Sequence, residues 1–119
     1  MIAGIGLDLF EIRRFAKYRA RPEFLSQLFS PAEIKRMKSS RDQSRDPALL
    51  FAVKESVRKA LGKEIAPGWF WRRIRIGPGL AINIMKEMKR FRLRKNFKTF
   101  HGAACHCRKF AFALTLIEK

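Results

Sequence analysis

Between Phe51 and Gly62 the chain reads FAVKESVRKALG, and this stretch constrains the fold more than any other. Leu50, Val53, Val57, Ala60 and Leu61 recur at helical spacing, which predicts an amphipathic helix with one apolar face. Glu55 and Lys59 fall four apart on the opposite face, with the small Ala52 beside them. Asp46 suits an N-cap, Pro47 the first helical position and Gly62 the C-terminal cap. A Glu four residues before a Lys is also an ordinary stabilising pair on a helix. On its own, then, the helix needs no functional explanation.

Apolar runs at both ends frame this helix. Ile2 to Phe10, IAGIGLDLF, predicts a buried strand, as does Phe110 to Ile117, FAFALTLI. Asp8 stands inside the first run, where a carboxylate is costly unless it is paired, hydrogen-bonded or metal-bound. Two readings fit it: the N-cap of a helix over Leu9 to Ala20, or a ligand at the end of a strand. Glu11 to Arg21 predicts a short basic helix. After Pro22, the residues Phe24, Leu25, Leu28 and Phe29 predict a helical turn. Ser30-Pro31-Ala32-Glu33 is a capping box opening a helix to about Lys38. Ser39 to Arg45 reads as a loop. Trp71 to Ile76 and Leu80 to Met85 predict a hairpin about Gly77-Pro78-Gly79. Lys86 to Lys98 reads as a helix followed by a basic loop. The sum is an α+β chain: one domain over residues 1–119, an antiparallel sheet with a long central helix.

Charge narrows the partners. There are 27 Lys and Arg against 10 Asp and Glu, a net charge of +17 on 119 residues. Such a chain pairs with something acidic: nucleic acid, an anionic membrane face, a phosphorylated ligand or an acidic protein. No apolar run approaches the roughly 20 residues of a membrane helix. No signal peptide is evident, since Asp8 and Glu11 break the apolar start and no basic segment precedes it. Cys105 and Cys107 are too close for an unstrained mutual disulfide, and free thiols fit a reducing cytoplasm. His101, Cys105, His106 and Cys107 carry metal-ligand chemistry. The chain has no second Cys or His pair elsewhere, which argues against a zinc centre.

Gly6-Leu7-Asp8, followed some forty residues later by Phe51-x-x-Lys54-Glu55-Ser56-x-x-Lys59, resembles the two-part signature of the 4'-phosphopantetheinyl transferase superfamily. The opening MIAGIGLDLFEIRRF, the segment FLSQLFSPAEI, the Ala60-Leu61-Gly62 ending and a late His106 are similar to its short bacterial holo-[acyl-carrier-protein] synthase branch. Two positions depart from the family pattern. Ala103-Ala104-Cys105-His106 stands where Ser-x-Ser-His is usual, and Lys63-Glu64 where a further Gly or small polar residue is usual.

The resemblance implies transfer of phosphopantetheine from coenzyme A to a serine of apo-acyl carrier protein, releasing adenosine 3',5'-bisphosphate. It assigns Asp8 and Glu55 to Mg²⁺, and Glu55 and Lys59 to catalysis. Lys54, Lys59, Gly62, Lys63 and His106 fall to coenzyme A. Arg13, Arg14, Lys17 and Arg21 match the docking region for the acidic carrier protein. It also implies a homotrimer with sites between subunits. The residue chemistry agrees: Mg²⁺ is commonly held by one or two carboxylates together with substrate phosphates and waters. Glu55, or a metal-bound water it orients, can accept the serine proton. The rival readings are a small basic nucleic-acid-binding protein, supported by the charge but by no base-stacking motif, and a non-catalytic carrier-binding relative.

Overall fold

The computed structural model describes residues 1–62, 71–84 and 96–119. In chain order, strand β1 (Ile2–Glu11) runs into a 3-10 turn (Ile12–Phe15) and three short helices: α1 (Ala16–Arg19), α2 (Pro22–Leu28) and α3 (Pro31–Ser39). The long helix α4 (Arg45–Leu61) follows. A small β2–β3 hairpin (Ile74–Ile76 and Ile82–Ile84) comes next, and strands β4 (Thr99–His106) and β5 (Phe110–Glu118) end the chain. β5 lies between β1 and β4, antiparallel to both.

α4 lies across one face of this sheet. Alternation along β5 buries Ala111, Ala113, Thr115 and Ile117 beneath the helix. The register puts Gly6, Thr115 and Gly102 in one row of that inner face, and Asp8, Ala113 and Ala104 in the next. Two glycines of β1 let the backbones meet. A Cβ on Gly6 would lie 1.8 Å from the Ser56 carbonyl oxygen, and one on Gly4 would lie 2.2 Å from that of Ala60. No larger residue fits there. Beside this contact the Ser56 and Thr115 hydroxyls bond each other at 2.7 Å, so these two buried polar groups satisfy each other.

The two end strands are buried on one face, not both. Ile5, Leu7 and Leu9 are 57%, 51% and 63% exposed, and Phe110 and Phe112 share their outer face. α4 corrects the expectation in the opposite sense. Ala52 to Val57 are all buried, Lys54 and Glu55 among them, because the sheet covers one side of the helix and α2, α3 and Trp71 enclose the other. Its N-terminus also differs. Asp46 lies in the first turn, and the starting N–H groups are met by Asp42, whose Oδ1 accepts from Ser44 N at 3.1 Å and Arg45 N at 2.8 Å. Those two bonds hold the Asp42 carboxyl below its ordinary pKa.

Other elements fall where the pattern puts them. The Ser30–Glu33 capping box is present with Pro31 inside the helix start, and Gly62 caps α4 at φ +96°. Pro22 opens α2 instead of merely interrupting the chain. The basic segment is a 3-10 turn plus one turn of α-helix, not a continuous helix. Phe10, Phe15, Phe29 and Phe51 form a connected aromatic cluster between β1 and the helices. The expected loop at 63–68 and most of the basic run 86–98 lie outside the described residues.

Candidate active site

Asp8 arrives at α4 because of Gly6. Gly4 meets the helix at Ala60 and Gly6 meets it at Ser56, so β1 runs backwards along the helix axis. Asp8 is two residues further on, about 7 Å at the strand rise. It is therefore carried toward the turn that holds Glu55. From the next turn Lys59 reaches back, and its Nζ donates to Asp8 Oδ1 at 2.9 Å and to the Leu7 carbonyl at 3.0 Å. Asp8 Oδ2 is buried, and no hydrogen-bond partner meets it among the described residues. An ionised oxygen left that way is costly, so the position suits a ligand that supplies positive charge or a donor.

Glu55 is held from two directions. Its Oε1 accepts the Trp71 indole N–H at 2.7 Å. Its Oε2 accepts from Arg58 Nη2 at 2.9 Å and Nε at 3.2 Å. Each oxygen acts through two lone pairs, so Oε1 keeps acceptor capacity beyond the indole bond. Lys59 therefore holds Asp8 from one turn of α4, and Glu55 stands one turn earlier on the same helix with Arg58 and Trp71.

Residues 4–115 match the 4'-phosphopantetheinyl transferase superfamily. The chain belongs to this family. Among its relatives, the holo-[acyl-carrier-protein] synthase of Bartonella henselae is 34% identical over 111 residues, 89% of this chain and 84% of that one. The fold is that of a Neisseria meningitidis holo-[acyl-carrier-protein] synthase, with TM-score 0.88 over the whole of both chains at 22% identity. A Helicobacter pylori holo-[acyl-carrier-protein] synthase solved with coenzyme A is 31% identical, with TM-score 0.74 over 96% of this chain and 99% of that one.

One expected site residue of this transferase is placed elsewhere by the fold. The resemblance gives Lys54 to coenzyme A. In the fold this lysine is fully buried, and its Nζ donates to Glu33 Oε1 at 2.7 Å and to the Leu28 and Trp71 carbonyls at 2.8 Å each. Burial pushes its pKa down, and the pull of Glu33 the other way is the smaller effect. Where the resemblance implies a coenzyme A ligand, the lysine in three dimensions ties α2, α3 and the Trp71 segment to α4.

Within one chain His106 stays away from the Asp8 group. It lies on β4, with β5 between it and β1, and borders a cavity of ≈ 400 Å³ with Asp42, Arg45, Cys107 and Arg108. Gly62 ends α4 with open space about its Cα, while Lys63 lies outside the described residues. Arg13, Arg14, Lys17 and Arg21 are all exposed around the turn that follows β1. Arg14 sits over the Phe10 ring at 5.5 Å, and Arg13 pairs with Glu11. Sequence reasoning missed Glu33, Trp71 and Arg58. Glu33 was legible only as a cap, and nothing in the order of residues brings Trp71, sixteen positions on, to Glu55.

Proposed function

We propose that this transferase moves 4'-phosphopantetheine from coenzyme A to a serine of apo-acyl carrier protein, with Mg²⁺, releasing adenosine 3',5'-bisphosphate. The observation that carries this reading is the buried Asp8 Oδ2, without a partner among the described residues, beside Lys59, which lies one helical turn from Glu55. The donor set suits Mg²⁺, which takes oxygen ligands and leaves room for phosphates and waters. Asp8 would hold it through Oδ2, and Glu55 through its carboxylate. When bound it would neutralise pyrophosphate and leaving-group charge.

The chain's own residues do the rest. Lys59, with its side chain 43% exposed, meets a coenzyme A phosphate while staying on the Asp8 side of the helix. Gly62, with no side chain, lets a phosphate approach the end of α4, and Lys63 is assigned to coenzyme A by the family resemblance alone. Glu55 accepts the serine proton, directly or through a water. Arg13, Arg14, Lys17 and Arg21 draw the acidic carrier to the turn after β1 and orient it there.

The exposed row of Ile5, Leu7, Leu9, Phe110 and Phe112 supports self-association, and we take the assembly to be a homotrimer. His106 then serves coenzyme A from a second copy, since β5 separates it from β1 within its own. Cys105 and Cys107 are exposed free thiols, which fits a cytoplasmic setting.

The test is intact mass spectrometry of apo-acyl carrier protein after incubation with coenzyme A, Mg²⁺ and this protein. A phosphopantetheine mass gain that disappears with Asp8→Ala is expected. No gain with wild type, together with salt-sensitive binding to arbitrary DNA, refutes the transferase reading in favour of a nucleic-acid-binding protein.

A further inference from the structure

The charges at the site cancel. Asp8 is paired with Lys59, and Glu55 with Arg58. Both Arg58 donors fall on the same Glu55 oxygen, Oε2, and fill it; the partner on Oε1 is the neutral indole of Trp71. The whole chain is at +17, so no surrounding negative field draws a cation in. Among the described residues a divalent ion at this site has these two carboxylates to rely on, and one of them is already occupied by a guanidinium.

We propose that Arg58 is an internal counter-cation at Glu55 that sets the protein's affinity for the divalent ion by competing with it. This rests on the Mg²⁺ reading above. Exposure distinguishes the pair from a locked one. The Arg58 and Glu55 side chains are 27% and 12% exposed, whereas Lys54 and Glu33 are 0% and 2% exposed. Lys54 has nowhere to go, but Arg58 can swing into water and recover its hydration there. The consequence has an unusual sign: removing a site residue tightens binding.

The experiment is isothermal titration of MgCl₂ into wild type, Arg58→Met, Lys35→Met and Asp8→Asn, at fixed ionic strength and without substrates. Lys35 is exposed on α3, so Lys35→Met makes the same change in net charge away from the site. Arg58→Met is expected to bind Mg²⁺ about tenfold more tightly than Lys35→Met, the factor expected for a charge-assisted bond partly discounted by water. Binding seen in Arg58→Met alone also supports the proposal. Asp8→Asn should abolish the signal. Equal or weaker binding by Arg58→Met, with wild type binding normally, overturns the role of Arg58 and leaves the Mg²⁺ reading standing. No binding by any variant removes both.

Discussion

Replacing Lys54 by Met tests whether that lysine holds the fold or the substrate. The Met side chain keeps most of the volume but takes away the ammonium. Glu33 then retains the Ser30 N–H at 2.8 Å and the Ile76 N–H at 3.0 Å, yet its charge stays buried without a cation. The Leu28 and Trp71 carbonyls lose their donor as well. Breaking one side of a buried pair costs about 3–5 kcal/mol. Unfolding entropy of ~2.1 cal/mol/K per residue gives ~0.25 kcal/mol/K for a chain of this length, so the melting temperature should drop by about 12–20 °C. Circular dichroism melts at one fixed protein concentration would read this, since self-association makes the midpoint concentration-dependent. Adding Glu33→Gln to Lys54→Met should cost less than Glu33→Gln costs alone, because the two groups are coupled. Below the transition, the KM for coenzyme A should be unchanged. A variant that melts within about 3 °C of wild type but shows a severalfold higher coenzyme A KM would refute the structural role and return Lys54 to the phosphate site.

Three further outcomes follow from other parts of the molecule. Asp42→Ala should cost about 1 kcal/mol at neutral pH, the usual loss for a helix cap. Because the folded carboxyl titrates below its ordinary value, that advantage is present above the unfolded pKa and is lost as pH falls through the folded one; melts of wild type and variant should converge below about pH 4. Gly6→Ala forces a methyl into the Ser56 carbonyl and should destabilise by about 3 kcal/mol, with Mg²⁺-dependent transfer falling further than stability explains because Asp8 moves with the strand; normal activity in a folded Gly6→Ala protein would contradict the close contact. Arg14→Glu with Arg21→Glu should raise the carrier KM and flatten its salt dependence while sparing coenzyme A, with wild-type rates falling as salt shortens the screening length to about 8 Å near 0.15 M; an unchanged carrier KM would make these arginines an ordinary solvated face.

The sequence alone determined the pieces whose causes are local. Apolar period, a capping box and a terminal glycine are each written within a few residues, so the long helix, the α3 start, the hairpin and both end strands were legible. So were Gly6-x-Asp8 and the Glu55–Lys59 spacing, although the glycine's reason appeared only when β1 was seen against the helix backbone. β4 escaped because it is an edge strand of mixed small and polar residues, His101, Gly102, Ala103 and Ala104 among them, with no apolar alternation to announce it. The tertiary structure decided what depends on distant segments meeting. Whether Lys54 points to a phosphate or to Glu33 turns on α3 packing against α4, twenty-one residues apart in sequence. Whether β1 has one buried face or two turns on which elements cover the sheet. Helical spacing specifies which side chains share a face, but burial belongs to the face and its neighbours together, and those neighbours come from elsewhere in the chain.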